Sequence, residues 1–582
     1  MTTVATTTRG GAWLIEDAPA DSILTREQLT DDHRLIEQTA DEFMVNEVVP
    51  ALEKLEEKDW ALARSLVRRG GGLGLLGTEV AEAYGGVGMD KVAAILVGEA
   101  VGRAASFATT FGAQTGLAIT PLICFGTEEQ KQQYLPGLVS GETVGAYALS
   151  ESGSGSDALA ARARATRNAD GSFTLSGEKM WITNGGFADL FVVFAKVDGT
   201  DFTAFLVERG FPGVASGKEE HKMGLFGSST TPLILQDAQV PAGNVLGEVG
   251  KGHKVAFNVL NYGRFKLAAM CSGGARSVIG DAAKYASQRR QFGHPIASFG
   301  AIRHKLAEMT VREYAVEAML YRTAGLIDAA LQGSHEGPAV LAALEEFAIE
   351  ASILKVAGSE MIDFIVDENV QIHGGNGFVR DYPAERYYRD ARVNRIFEGT
   401  NEINRLLIPG MLARRAVKGG LPLIPAAKKL QDELLTPSMP EPPGDGALDA
   451  ERRAVASMKK IALMLLGTAM QTYGEKLSEE QEVLTAIADV VMDVFAAESV
   501  LLRALAAPAS DLHSAAARIY INDAAGRVEL GARTALAAMT EGDTLRTLLA
   551  ALRRLMKVQS VNTVALRRQL ADAIADRKGY PF

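Results

Sequence analysis

The middle of the chain changes from helical to β-rich sequence and back again, and this change limits the possible folds more than any other feature. Short runs rich in Phe, Val, Leu and Thr occur at 172–176, 190–195, 204–207 and 233–235, separated by turn-forming Gly, Asp and Asn. On both sides of this region, apolar residues recur at helical spacing. The pattern predicts an α+β protein in which a small β-barrel or sandwich lies between helical domains.

The chain is long enough for several cores, because 582 residues exceed what one domain usually organises. Four prolines within residues 436–446 cannot continue a helix, and they predict a linker there. We therefore expect six segments: a disordered leader (1–29), an N-terminal helical domain (30–145), a middle β domain (146–250), a C-terminal helical bundle domain (251–415), a Pro-rich linker (416–446) and an extra helical domain (447–582).

Charge and composition exclude several classes of protein. The net charge of −11 argues against a nucleic-acid surface, which needs clustered Lys and Arg. No apolar run approaches the roughly 18 residues of a membrane span. Cys124 and Cys271 lie far apart, so neither a disulfide framework nor a zinc site is indicated. The first ten residues lack the apolar core of a secretory signal, and we expect a cytoplasmic protein.

One motif is misleading. Gly72-Leu-Gly-Leu-Leu-Gly77 matches the G-x-G-x-x-G pattern of dinucleotide-binding folds. That fingerprint needs a preceding strand, whereas residues 61–69 are amphipathic with helical spacing. We interpret these glycines as a helix stop followed by a turn.

Two segments of the β region have a composition suited to ligand binding. In Tyr147-Ala-Leu-Ser-Glu-Ser-Gly-Ser-Gly-Ser-Asp157, small residues allow backbone N–H groups to approach a flat or phosphorylated ligand. Such a run is also what a flexible polar loop contains. Trp181 and Thr183 are two residues apart, so a strand would present both on one face, although a Trp in a sheet is often part of the core.

The stretch Arg395-Ile-Phe-Glu-Gly-Thr-Asn-Glu-Ile403 sets the carboxylate of Glu398 in a turn, where a solvated side chain is the ordinary interpretation. Four other motifs of the chain change that interpretation. With Gln371-Ile-His-Gly-Gly-Asn-Gly-Phe378, Arg386-Tyr-Tyr-Arg-Asp390, Lys179-Met-Trp-Ile-Thr-Asn-Gly185 and the 147–157 segment, it resembles the acyl-CoA dehydrogenase family over nearly the whole chain. The extra helical domain and Asn258-Val-Leu-Asn-Tyr-Gly-Arg264 are most similar to the very-long-chain type.

The resemblance implies FAD as cofactor. Thr183 is expected to donate towards flavin N5, and Arg289 to pair with the pyrophosphate of the FAD of a neighbouring subunit. Ser152 stands where relatives often have proline, and His373 is expected to be a structural loop residue. The cofactor residues implied are Tyr147, Ala148, Leu149, Ser150, Glu151, Gly155, Ser156, Trp181, Ile182, Thr183, Arg289, Gln291, Phe292, Gln371, Gly374, Gly375, Thr400, Asn401 and Glu402.

The resemblance also implies the chemistry. Glu398 is expected to take the α-proton of a fatty acyl-CoA while the β-hydrogen leaves as hydride to the flavin, and the product is a trans-2-enoyl-CoA. The backbone N–H of Glu398 and a flavin hydroxyl are expected to bind the thioester carbonyl. Asn261-Tyr-Gly263, where some relatives carry the base, contains no carboxylate. The substrate residues implied are Ser156, Asn261, Tyr262, Gly263, Arg264, Phe397 and Gly399.

Partners and alternatives complete the expectation. The resemblance implies a homodimer that passes electrons to an electron-transfer flavoprotein, whereas an acyl-CoA oxidase or a non-catalytic assembly partner of a respiratory complex would keep the same fold. Gly112 matches a glycine that opens the acyl pocket in very-long-chain relatives, although it could simply permit close helix packing, and Phe111 could fill the space. Lys428-Lys429 is a thin basic patch, so peripheral membrane contact is not expected.

Overall fold

The computed structural model describes residues 9–435, 446–508 and 510–582. It confirms the predicted fold class, with a helical domain, a β domain, a helical bundle and an extra helical domain in that order. The N-terminal domain contains α1 (Asp31–Phe43), α2 (Leu52–Glu56), α3 (Trp60–Gly72), α4 (Lys91–Gly102), α5 (Ala105–Gly112), α6 (Thr120–Phe125) and α7 (Glu128–Ser140). A π-helical turn, Ala113–Ile119, joins α5 to α6. The Gly-rich 72–77 segment ends α3 and turns at Gly74 (φ 78°), so it is not a dinucleotide fingerprint.

The middle domain is an eight-stranded sheet in the order β6-β7-β3-β2-β4-β5-β8, with β1 paired in parallel to β4. Its strands are β1 (Gly145–Ala148), β2 (Arg164–Arg167), β3 (Phe173–Thr183), β4 (Leu190–Val197), β5 (Asp201–Glu208), β6 (Val214–Ser216), β7 (Thr230–Val240) and β8 (Val245–Leu246). The pairing of β3 with β7 shifts register between Lys179 and Ile182. This irregularity includes Trp181, whose φ of 59° is unusual for an aromatic residue.

The C-terminal bundle surrounds one long helix, α8. Its helices are α8 (Gly252–Gln288), α9 (Gly300–Leu331), α10 (Gly337–Glu346), α11 (Ala348–His373), α12 (Ala384–Ala391) and α13 (Asn401–Val417), and the short strands β9 (Arg290–Gln291) and β10 (His294–Pro295) follow α8. A Cβ added to Gly273 would overlap the carbonyl of Glu99, so this glycine lets α8 lie directly against α4. The bundle and the N-terminal domain are therefore closely packed.

The extra domain contains α14 (Leu423–Leu435), α15 (Asp449–Tyr473), α16 (Gln481–Ala506), α17 (Asp511–Met539), α18 (Gly542–Leu555) and α19 (Thr563–Arg577). Helix α14 corrects the predicted linker at 416–446, because residues 423–435 are helical and bury Leu423 and Leu430. The Pro-rich stretch at 436–445 lies outside the described residues. Buried ion pairs tie this domain to the bundle, as between Arg503 of α16 and Glu317 of α9 (2.7 Å).

The predicted disordered leader is also corrected by the structure. From residue 9 onwards the chain packs against the bundle, and Trp13 is buried with its indole Nε1 donating to Glu350 (2.8 Å). The ring of Trp13 also lies 4.7 Å from that of Phe495 in α16. These contacts are with residues more than 300 positions away, so no local pattern predicts them. Residues 1–8 lie outside the described part.

Two kinds of feature are absent from residues 9–435, 446–508 and 510–582. No helix there combines the length and the apolar character that crossing a membrane requires. In the same ranges, no group of three or more His, Cys, Asp or Glu side chains is placed to hold a metal ion.

Candidate active site

A cavity lies between the N-terminal domain and the bundle, and we call it the tunnel. Its volume is about 1010 Å³, which includes the solvent space at its open mouth. Helix α8 lines it at every third or fourth position from Gly263 to Val278, and about 1.5 Å of rise per residue makes this stripe about 22 Å long. The opposite wall is α5 and the π-helical turn, with small side chains at Gly112 and Ala113. Phe111 is buried elsewhere and does not fill the tunnel.

Glu398 lies on the tunnel wall in a strained loop between α12 and α13. Its φ is 58°, and that of Gly399 is 77°. Arg264 Nε donates to the carbonyl of Glu398 (3.2 Å), and the Asn404 side chain donates to the carbonyl of Gly399 (2.8 Å). Thr400 caps α13 through the N–H of Ile403 (3.2 Å). These bonds hold a backbone conformation that a glutamate rarely adopts.

The carboxylate of Glu398 is shielded from solvent, and its Oε2 has no hydrogen-bond partner among the described residues. Burial raises the pKa of Glu398 to about 7, although the cations Arg264 and Lys355 act in the opposite direction. A Cβ added to Gly263 would overlap this carboxylate, so the glycine provides the space that Glu398 occupies. The arrangement produces a weakly solvated base that is about half ionised near neutral pH.

Two of the predicted substrate residues line the tunnel, and the others lie outside it. Gly263 and Phe397 line the tunnel beside Glu398. Arg264 lies behind the loop and donates to Asn261 Oδ1 (2.9 Å). Asn261 therefore orients the Arg264 guanidinium and does not line the tunnel. Tyr262 lies outside the tunnel, with its ring fully buried and its hydroxyl donating to Glu79. Gly399 provides the positive φ that the turn requires, and Ser156 is exposed in its loop.

Several predicted cofactor residues remain available for a ligand. Thr183 lines the tunnel with Glu398. The Tyr147 hydroxyl is buried without a hydrogen-bond partner among the described groups, and Trp181 is 56% exposed. No heavy atom lies within 4 Å of where a Cβ would stand at Gly155. Ser150 is half-buried at the start of the same loop.

Other predicted cofactor residues are occupied within the protein. The Glu151 carboxylate pairs with Lys179 (2.7 Å) and accepts from the N–H groups of Arg162 and Ala163, so it organises the loop. The Asn401 amide is buried in hydrogen bonds and cannot reach a ligand. The side chains of Ala148, Leu149 and Ile182 are core residues. The sequence pattern of small and polar residues alone did not distinguish these internally bonded or core residues from the residues that are open to a ligand.

A third group lies at the exposed ends of α8 and α11, away from the tunnel. Phe292 is 91% exposed at a φ of 51°, and the Arg289 guanidinium shares no hydrogen bond or ion pair with any described residue. Gln371, Gly374, Gly375 and Gln291 are also exposed. His373 is the last residue of α11 and not a loop residue, and its ring stacks on that of Tyr285 with centroids 4.0 Å apart. Glu402 lines a second, polar groove that is open to solvent, together with Thr485 and Asp489 of the extra domain.

Lys355 is a site residue that sequence reasoning missed. It lies in α11, is fully buried, and its Nζ donates to Asn401 Oδ1 (2.6 Å), three residues after Glu398. Burial lowers the pKa of Lys355 to about 8, while Glu398 acts to raise it. The available signal was a lone lysine in the apolar run Ile353-Leu-Lys-Val356, since a charged residue in such a run usually has a buried partner.

Four family models match the chain. They are described as "Acyl-CoA dehydrogenase, N-terminal domain" at residues 30–142, "Acyl-CoA dehydrogenase, middle domain" at 146–238, and "Acyl-CoA dehydrogenase, C-terminal domain" for two models at 250–412 and 457–554. Together they include the tunnel, the Glu398 loop and most of the extra domain.

Individual relatives extend this similarity. A "Probable acyl-CoA dehydrogenase" of Bacillus subtilis (strain 168) is 47% identical over 98% of both chains. The "Very long-chain specific acyl-CoA dehydrogenase, mitochondrial" of Homo sapiens is 41% identical over 67% of this chain and 59% of that protein. Among solved structures, an "Acyl-CoA Dehydrogenase complexed with FAD from Bacillus anthracis" has a TM-score of 0.96 at 45% identity, over 98% of this chain and 100% of that chain.

Proposed function

The chain belongs to the acyl-CoA dehydrogenase family, and from this premise we propose that it oxidises a long-chain fatty acyl-CoA to the trans-2-enoyl-CoA, with Glu398 as base and FAD as cofactor. The observation that carries the proposal is the Glu398 carboxylate, buried without a partner on Oε2 at the wall of a tunnel that could hold an acyl chain.

Proton abstraction requires a base that is both ionised and poorly solvated. Burial makes the Glu398 carboxylate more basic, while Arg264 and Lys355 keep a useful fraction of it ionised near pH 7. The N–H of Glu398 donates to no other described backbone or side-chain group, which leaves it free to bind the thioester carbonyl. The same residue then contributes the base and one donor for the developing negative charge.

The chain's residues fit FAD. The buried, unpartnered hydroxyl of Tyr147, the exposed indole of Trp181 and the open space at Gly155 are features that a flat cofactor beside the tunnel would use. Thr183, Trp181 and the 150–156 loop would hold it from one subunit, and Arg289, Phe292 and residues 371–375 from a second copy. When bound, FAD supplies the acceptor for the hydrogen that leaves the β-carbon.

Tunnel length supports a long-chain substrate. An extended acyl chain advances roughly 1.25 Å per methylene, so about 22 Å is enough for about sixteen carbons or more. Gly112 keeps the tunnel open at its middle, because a Cβ there would lie only 3.0 Å from Met270 Cε. The very-long-chain specificity in the human relative's name agrees with this proposal.

The test is anaerobic reduction of the purified yellow protein by acyl-CoAs from four to eighteen carbons. We expect loss of the flavin absorption band with sixteen-carbon substrates and electron transfer to an electron-transfer flavoprotein or a dye. Rapid reoxidation by air alone would identify an acyl-CoA oxidase instead. Failure of every acyl-CoA to bleach the band would contradict dehydrogenation and favour a binding role.

A further inference from the structure

Lys355 connects the helix beneath the active site to the loop that carries the base. Its Nζ donates to Asn401 Oδ1, and Asn401 is the first residue of α13, directly after the strained segment 398–400. The Asn401 amide in turn donates to Ser359 Oγ and Glu360 Oε1, both at 3.0 Å. Every polar atom of the Asn401 side chain is therefore bonded to α11.

Such a tether has mechanical consequences for Glu398. A non-glycine residue at positive φ costs about 1–3 kcal/mol and persists only where its surroundings enforce it. On one side, Arg264 of α8 holds the Glu398 carbonyl. On the other side, Lys355 holds the start of α13, so the loop is fixed at both ends by buried cations.

We propose that Lys355 is a positioning residue for Glu398, which fixes the catalytic loop through Asn401 and places a second positive charge beside the carboxylate. This inference rests on the proposed function of Glu398 as the base. It assigns to α11 a role that the sequence motifs of the site do not contain.

The charged and titratable groups around this pair are few. Lys355 faces Glu398, Cys271 and Arg264, and more weakly Glu402. Glu398 faces Arg264 of α8 and Lys355 of α11, and it also acts on Tyr147 of β1. Removing the Lys355 charge leaves Arg264 as the remaining cation near the carboxylate, so the protonated form of Glu398 gains stability and the base ionises at higher pH.

The experiment is the pH dependence of kcat/KM with palmitoyl-CoA, from pH 5.5 to 9.5, in variants that separate charge from tether. Lys355→Met removes both, Lys355→Gln keeps a donor for Asn401 but no charge, and Lys355→Arg keeps the charge. Lys91→Met is the matched control, because Lys91 is also buried and pairs with a carboxylate, Glu79 at 3.1 Å, but does not act on Glu398.

We expect the rising limb of the pH profile to move up by about one pH unit in the Met and Gln variants, which lowers kcat/KM about fivefold at pH 7, with wild-type flavin content. The Met variant should also reach a lower maximal kcat/KM at high pH, because it loses the tether. The Arg variant should keep the wild-type pKa of the rising limb, because it keeps the charge. An apparent pKa of the rising limb within about 0.3 pH unit of the wild-type value in both the Met and Gln variants would overturn the proposal. An equal shift of that pKa in Lys91→Met would overturn it as well. A wild-type protein inactive with every acyl-CoA would instead overturn the proposed function itself.

Discussion

Two opposed effects set the pKa of a single residue, Glu398. Burial favours the neutral carboxyl group, whereas Arg264 and Lys355 favour the carboxylate, and burial prevails because it raises the pKa to about 7. A base works only when ionised, so kcat/KM should increase as the pH rises through about 7. The same shift affects stability. Because the pKa of Glu398 in the folded protein exceeds the usual value of about 4.5, the folded protein loses stability as the pH rises from about 4.5 to about 7.

Glu398→Gln separates catalysis from stability. The change is nearly isosteric, so we expect a folded, flavin-containing protein whose turnover falls more than about a hundredfold. It also removes an unfavourable buried charge worth about 3 kcal/mol at pH 8, so the thermal midpoint should rise by several degrees there and by little at pH 5. The measurements are steady-state rates and thermal unfolding at both pH values. Turnover above a hundredth of the wild-type rate would mean that another group is the base.

Gly263→Ala tests the space beside the base. The added methyl group would overlap the Glu398 carboxylate, so we expect kcat to fall at least about tenfold while flavin content stays normal. Alanine is the better helix former by about 1 kcal/mol, so an unstable helix is not the expected cause. Gly280→Ala in the same helix is the control, because its Cβ would make only an ordinary contact at 3.8 Å. Equal activity in both variants would show that Glu398 has room to move.

The candidate residues show what a sequence can predict at this scale. The Phe-Glu-Gly-Thr stretch predicted a turn at Glu398, and the structure has one there with a φ of 58°, because such a motif is local. Tyr262 and Asn401 were assigned to ligands although both are turned inward to protein partners, Glu79 and Lys355. Motif neighbours share a position in the chain, but the direction of a side chain depends on packing against distant elements.

At the scale of elements, the tunnel is a product of two facing helices. Positions 263, 267, 270, 274 and 278 of α8 repeat every three or four residues, so they form one stripe. The facing wall contributes glycine and alanine where larger side chains would close the gap. The width of the tunnel therefore depends on α5 and the π-helical turn, and its length on α8.

Gly112→Glu should shorten the usable tunnel. The carboxylate would stand against Met270 at the middle of the stripe, where even a Cβ is only 3.0 Å from Met270 Cε. We expect activity with palmitoyl-CoA to fall more than about tenfold, while butyryl-CoA activity is kept or increased. Gly526→Glu, at an exposed glycine of α17 with open space around it, is the control. A wild-type enzyme that prefers butyryl-CoA and ignores palmitoyl-CoA would refute the long-chain assignment.

Elements were predicted well where apolar periodicity is strong. The four β-rich runs lie in β3, β4, β5 and β7. The two errors, at the leader and at the linker, have different causes. Trp13 is ordered by burial against remote helices, whereas α14 packs on its chain neighbours α13 and α15 and was hidden by the prolines that follow it, so a leader and a linker were predicted instead.

At the scale of the whole molecule, one exposed surface suggests a second copy of the chain. Arg289 and Phe292 follow α8, and both are exposed although the resemblance assigns them to the cofactor. Neither lines the tunnel that contains Glu398. A flavin held between two subunits accounts for both observations.

Arg289→Ala should therefore reduce flavin content and weaken the dimer together, since a phosphate loses a charge-assisted partner across the interface. The measurements are the visible absorption band per protein and the mass from light scattering. Arg290→Ala is the control, because the neighbouring guanidinium already donates to the carbonyl of Gly293 (2.6 Å). Full flavin occupancy in Arg289→Ala would move the pyrophosphate contact elsewhere.

The extra domain determines which surface is left for assembly. Its helix α16 packs against α9 and α13, and Arg503 of α16 reaches the fully buried Glu317 of α9. Arg322 of α9 pairs with Glu498 of α16 at 2.8 Å in the same interface. Removing this domain exposes apolar helix faces and breaks buried ion pairs, and breaking one such pair typically costs about 3–5 kcal/mol.

Deletion of residues 447–582 should consequently change the assembly. We expect the full-length protein to be a homodimer in which the extra domain covers the faces of α9 and α13 that α16 packs against. The truncated chain should aggregate or form tetramers, since a large exposed apolar patch favours association. Light scattering of both proteins at several concentrations checks this. A stable dimer from the truncated chain, or a tetramer from the full-length chain, would show that the domain does not control assembly.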